Sequence, residues 1–178
     1  MNYETIDEIY SGNGRIRAEL AAVVSAIPDE LAAASVDGEP WTLAEIVEHL
    51  ALVEASLTRV CAKLLSKAEA EGRKANGRAT ISKAFLESAG SPSTARLEAP
   101  DIVKPSGGKP IAESLENLAQ SRSRVEEIRP MFEKFDGVEA KFPHPAFGNM
   151  SAHEWLALIG AHEARHLKQI ERILAKLK

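Results

Sequence analysis

Cysteine is nearly absent: Cys61 stands alone among 178 residues, so no intrachain disulfide is possible. No apolar run approaches the ~20 residues that a membrane-spanning helix requires. An excess of positive charge is missing too, and the formal net charge of -4 gives no global field favouring nucleic acid or an anionic membrane. The opening MNYETIDEIY has acidic side chains where a secretory leader has basic ones, and it lacks an apolar core. A cytoplasmic address is therefore expected, and the Asn149-Met150-Ser151 sequon is read as chance. Internal repeats, low-complexity tracts and any convincing strand pattern are also lacking. What remains is 44% hydrophobic and 27% charged, an ordinary globular composition, in one domain over residues 1–178 with enough chain for a substantial core.

Four segments carry a helical period. Ile6, Ile9, Ile16, Leu20, Val23 and Ile27, with Asn13 in the gap, form one face of a first helix that Thr5 and Glu8 start and Pro28 ends; Gly12 and Gly14 could kink it. A second opens on the capping box Thr42/Glu45 and runs to about Lys67 on Leu43, Ile46, Leu50, Val53, Leu57, Val60 and Leu64. A third begins at Pro110 and continues through Leu115, Leu118, Val125 and Ile128 to Pro130. The stretch FDGVEAKFPHPAFGNM reads as a loop. Ser151 and Glu154 then cap a last helix whose stripe is Trp155, Ile159, His162, His166, Ile170, Ile173 and Leu177. Residues 71–109 are rich in Gly, Ser, Pro and Ala and read as an extended connection with a short helix around Ile81 to Glu87. The expectation is an all-α four-helix bundle whose long connection lets the second and third helices run parallel.

His162 and His166 occupy core positions of the last helix, four residues apart and so on one face. Imidazoles buried without partners are costly. Either neighbouring groups hydrogen-bond them, or they share a metal ion. The run His162-Glu163-Ala164-Arg165-His166 fits the H-E-x-x-H signature of zinc proteases. That reading fails on ligands. Arg172 stands where the third histidine belongs, Gln169 where the glycine belongs, and Glu171 is the only carboxylate after His166. A third ligand must come from upstream, and His49, on the flank of the second helix's apolar stripe, is able to lean into the bundle. Three imidazoles with an open position make a catalytic type of site.

These residues resemble a known family. His49 in its E-H-L setting, FPHPAFGNMSAHEW, HEARHLKQI, the tryptophan-led WTLAEIVEHL and APDIVKPSGGKP together resemble the DinB/YfiT-like family of metalloenzymes. The likeness covers nearly the whole chain and lies in the order and spacing of short motifs. It implies a four-helix bundle, often homodimeric, with one divalent metal on three histidines, here His49, His162 and His166. It also implies chemistry among low-molecular-weight-thiol-dependent S-transfer, isomerisation and metal-dependent hydrolysis.

The expectation is a metal-dependent enzyme acting on a small molecule, with thiol S-transfer first and hydrolysis second. A non-catalytic, stress-associated metal-binding protein is the alternative. Three imidazoles suit Zn, Ni, Cu or Fe, with Zn or Ni preferred. Among the other side chains, His153 is expected at the surface and His144 in loop packing. Gln169 either orients a ligand or caps a bundle layer, and Glu48 and Glu163 point away from the site toward solvent or an interhelical pair. Arg165 is a surface charge or an anion contact, Trp41 and Trp155 are packing anchors, and Cys61 is an inert core thiol. GRKANGR, residues 72–78, reads as a solvated turn without the aromatic interleaving of a nucleic-acid surface.

Overall fold

The computed structural model describes residues 3–90 and 99–177; residues 91–98 of the long connection lie outside the described residues. Helix α1 spans Ile6–Val24 behind Thr5, whose side chain accepts the Glu8 amide. The reciprocal half of the box is displaced, because the Glu8 carboxylate accepts the Glu4 amide instead. Gly12 and Gly14 do not interrupt the helix. A single turn, α2 (Asp29–Ala32), follows Pro28 and was not foreseen in the sequence. Helix α3 (Leu43–Ala70) opens on the complete Thr42/Glu45 box, and its stripe buries Leu43, Ile46, Leu50, Leu57 and Leu64. The connection contains α4 (Lys83–Gly90) and a 3-10 turn at Asp101–Val103. Helix α5 (Ile111–Glu127) starts behind Pro110.

Two expectations are corrected. The third helix breaks at Ile128 rather than Pro130, and Pro130 falls in the first turn of α6 (Arg129–Lys134), where a missing N–H leaves no bond unmade. The stretch read as a loop holds an antiparallel hairpin, β1 (Lys141–His144) and β2 (Gly148–Ser151), with Phe142 opposite Met150 and Pro143 opposite Asn149. In a two-stranded ribbon both strands are edges, so proline is tolerated there. Gly148 takes a φ of 68°, which a side chain would strain. The hairpin runs directly into α7 (Ala152–Leu177), and the third capping box forms: Ser151 Oγ accepts the Glu154 amide while Glu154 accepts the Ser151 amide.

Helices α1, α3, α5 and α7 make the bundle, and their side-chain pairs fix its directions. Asn13 and Arg17 of α1 meet Leu156 and Glu163 of α7, so these two helices are parallel. Glu48 and Glu54 of α3 meet Ser106, just before α5, and Arg122 within it, so α3 and α5 are also parallel, as the long connection permits. Tyr10 and Arg17 donate to the Val125 and Leu118 carbonyls, which makes α1 and α5 antiparallel. The order around the bundle is α1, α7, α3, α5.

The core has two apolar halves with a polar layer between them. One half gathers Ile9, Tyr10, Leu57, Cys61, Leu65, Val125, Phe132 and Leu156; the other gathers Leu20, Val24, Ile46, Leu50, Leu118, Ile170 and Ile173. Between them each helix contributes one charge: Arg17 from α1, Glu54 from α3, Arg122 from α5 and Glu163 from α7. Arg17 hydrogen-bonds both carboxylates, and Arg122 lies 3.5 Å from Glu54 and 3.8 Å from Glu163. Both carboxylates are almost wholly shielded from water.

One turn away from this layer α1 and α7 pack closely against each other. Asn13 Nδ2 donates to the Leu156 carbonyl at 2.9 Å, and a Cβ on Gly160 would stand 2.2 Å from Asn13 Oδ1. Gly160→Ala is therefore expected to lower the free energy of unfolding by about 1–3 kcal/mol through overpacking. Gly14→Ala, in the same layer of α1 but with nothing within 4 Å of the new methyl, should raise it by roughly 0.5–1 kcal/mol through helix propensity. Urea titration of the two variants measures both.

Candidate metal centre

His49, His162 and His166 converge on the flank of the polar layer, where α3 faces α7. Ring centroids lie 5.2 Å apart for His49–His162, 5.2 Å for His49–His166 and 4.5 Å for His162–His166. One nitrogen from each ring can be chosen so that all lie within 4.8 Å of one another. His49 and His166 are buried and His162 is partly exposed. Among the described residues no carboxylate belongs to this cluster.

The surroundings decide which nitrogen each ring offers. His49 Nδ1 lies 2.7 Å from the Val103 carbonyl, which can only accept, so Nδ1 carries the proton and Nε2 keeps its lone pair. Glu48, the preceding residue, holds that carbonyl in place by accepting from both the amide and the hydroxyl of Ser106. His166 Nδ1 lies 2.8 Å from Gln169 Oε1, while Gln169 Nε2 donates to Glu39 at 3.1 Å. Because a carboxylate accepts only, it turns the amide so that its oxygen faces the imidazole. His166 is thereby fixed as the Nδ1–H tautomer, and its Nε2 faces the cluster. Glu39 is itself anchored by Arg172 and Lys176. Its carboxyl sits below the usual range because hydrogen bonds from Gln169 and Arg172 outweigh the opposing effect of burial.

All three rings are held neutral. Burial lowers the pKa of His49 despite the Val103 bond, and it pushes His166 down to about 3, with Arg165 adding to the effect. Burial is also the main cause for His162, which lies well below the ordinary value with help from the other two imidazoles. Among the described residues, neither nitrogen of His162 has a hydrogen-bond partner. This donor set fits a divalent cation: neutral imidazoles, two with the distal nitrogen already committed, and a third with both nitrogens free.

Other residues line the approach. Trp41 lies against His49 with centroids 4.7 Å apart. The Arg165 guanidinium stands 3.4 Å from His166 Nε2 and, among the described residues, pairs with no carboxylate. His144, on the hairpin, packs on Phe147 and Trp155, as loop packing requires, and burial lowers its pKa with help from the charge of Arg165.

Of the two fates expected for Glu163, the interhelical pair is the one found: it is buried against Arg17, and burial raises its carboxyl pKa. Two other sequence expectations change. Glu48 is buried on Ser106. His153, expected at the surface, is 3% exposed at the far end of α7, because Gly137, Phe132 and the segment entering α4 close over it. Cys61 is a core thiol, as read, and burial raises its pKa far above the ordinary value.

A bundle with a crossover between two parallel helices and three converging neutral imidazoles defines a class of helical proteins suited to holding a single metal ion. The chain belongs to the DinB superfamily, whose pattern it matches over residues 14–170. It is similar to YuaE of Bacillus subtilis (strain 168), an uncharacterised protein, at 23% identity over 91% of this chain and 94% of that one. It is also similar to the crystal structure of TT2238, a four-helix bundle protein, with a TM-score of 0.62 at 25% identity, covering 93% of this chain and 98% of the other.

The Glu39–Gln169–His166 relay predicts that Gln169→Leu loses the fixed tautomer. Nitrogen-15 NMR of the imidazoles should show His166 as the Nδ1–H form in the parent and as a tautomer mixture in the variant. Affinity for added Zn or Ni should fall about 10- to 100-fold.

Proposed function

We propose that this protein is a metal-dependent enzyme acting on a small molecule, with a thiol S-transferase activity and its metal held by His49, His162 and His166. The observation that carries the reading is His162: a neutral imidazole between two tautomer-fixed partners, with no hydrogen bond of its own among the described residues. The ring is partly exposed, so water can satisfy it; what supports the reading is its uncommitted nitrogen, within 4.8 Å of nitrogens of His49 and His166 as a shared cation requires. A divalent ion there would supply Lewis acidity, lowering the pKa of a thiol or a water near neutral pH.

The chain's own groups support a thiol supplied from solution. Its only thiol, Cys61, is sealed in the core with its pKa raised, so it is no nucleophile. The three imidazoles bring no negative charge, and Arg165 adds a positive one that no carboxylate among the described residues balances. That excess favours anionic ligands, and a thiolate answers it better than a neutral molecule does. Trp41 shields the His49 side, and Glu39 with Gln169 keeps His166 from rotating. A hydrolase would use the same imidazoles, and a thiol-free reaction is what separates the two.

His162→Ala and His166→Ala are each expected to abolish stoichiometric divalent metal in elemental analysis of the purified protein. Unchanged metal content in both would overturn the site. Turnover of an electrophilic substrate with a panel of cellular thiols should require both thiol and metal and cease with chelator. Chelator-sensitive turnover that needs no thiol would assign hydrolysis instead, and a metal-loaded protein inert under both conditions would point to a non-catalytic binder.

A further inference from the structure

At the end of the bundle remote from the imidazole cluster lies a cavity of about 270 Å³. His153 on its wall is 13 positions before His166 on α7, or roughly 20 Å along the helix axis. The cavity is framed by the start of α1, the turn read from GRKANGR, α6 and the first residues of α7. Backbone hydrogen bonds hold that frame together. Ala75 donates to Lys134, Asp136 to Arg73 and Ala79 to Glu4, while the Thr80 amide donates to His153 Nδ1 at 3.1 Å. The site is therefore preformed. Its volume falls just below the roughly 300–1,000 Å³ of drug-sized pockets, which suits a smaller metabolite.

The polar groups on its wall are only partly used by the protein. His153 is 3% exposed and neutral, its pKa pushed down to about 4 by burial. Its Nδ1 accepts the Thr80 amide, so the proton is on Nε2, and no described residue accepts from that nitrogen. Gly137 leaves the space for this edge of the ring, since a Cβ there would stand 3.1 Å from Nε2. Asp7 and Glu133 also line the cavity, but both pair with Arg129. Asp136 uses one carboxylate oxygen to accept the Val138 amide and, among the described residues, meets no cation. Arg78, on the opposite turn, meets no carboxylate among them. One negative and one positive group thus line the same cavity without pairing to each other, beside a buried N–H donor and the ring of Phe132.

We propose that this cavity binds a small zwitterion of the α-amino-acid class, with the ammonium on Asp136 and the carboxylate on Arg78 and His153 Nε2–H. Phe132 and Ile6 supply the apolar wall for its side chain. A ligand bearing only one charge leaves the other group unanswered, which is the basis of selection. The site is independent of the metal reading, because it shares no residue with the imidazole cluster.

The test is binding of the free amino acids to the full chain, followed by isothermal calorimetry and by amide NMR shifts. At least one amino acid should bind and shift the amides of residues 75–80 and 136–137. Its N-acetyl and its methyl-ester derivatives should each bind at least tenfold more weakly. Asp136→Asn and Arg78→Gln should each weaken binding about 10- to 100-fold, while His162→Ala leaves it unchanged. Circular dichroism confirms that both surface-side variants remain folded. No binding by any amino acid, equal binding of the singly charged derivatives, or shifts confined to the imidazole cluster would overturn the proposal.

Discussion

Four charges from four helices meet in the middle of this bundle, and the rest of the molecule is arranged around keeping them together away from water. Arg17 holds Glu54 and Glu163 at once, with Arg122 completing the layer. Such a cluster adds little net stability compared with apolar residues of the same shape, because desolvation offsets the attraction. Its effect is on registry. Deleting one partner strands a buried charge at a cost of about 3–5 kcal/mol, so a helix that slid by one turn would meet a similar cost. Glu54 lies five residues after His49, and Glu163 immediately follows His162. Locking both carboxylates on one guanidinium therefore sets the height at which the imidazoles of α3 and α7 face each other.

The polar layer also separates two electrostatic environments. Within the layer each charge faces one of opposite sign. On its flank three neutral rings and Arg165, which meets no carboxylate among the described residues, produce a local excess of positive potential, which a bound cation would deepen. The supporting carboxylates, Glu39 and Glu48, act at one remove. The first orients an amide and the second clamps a strand of chain, so neither brings negative charge into contact with the rings.

Helical period made α1, α3, α5 and α7 legible in the sequence, and with them the three histidines, because a helix turns spacing into a face. Distance along the chain hid the rest. Arg17 looks like a surface residue in Gly14-Arg15-Ile16-Arg17, and only Glu54 and Glu163, 37 and 146 positions away, make it a core residue. His153 looks exposed in the first turn of α7 for the same reason: the chain that covers it comes from residues 79–82 and 137. The hairpin was concealed by Pro143 and Pro145, whose ordinary meaning is loop. Gln169 was placed correctly beside His166, but its preference for that ring over bundle packing depends on Glu39, which lies before α3.

The parallel pairing of α1 with α7 has a consequence for how the chain acquires its structure. None of the principal helix contacts joins neighbours in sequence through a short turn: α1 packs on α7, α3 on α7, and α3 on α5 across the long connection. The apolar stripe of α1 has its main wall only once the final helix is in place. Folding must therefore close its longest loops before these contacts stabilise it, which makes this helical protein slower to form than an up-down bundle of equal length. Glu163 and two of the three histidines are on that final helix, so the full ionic layer and the imidazole cluster are completed by the same docking event.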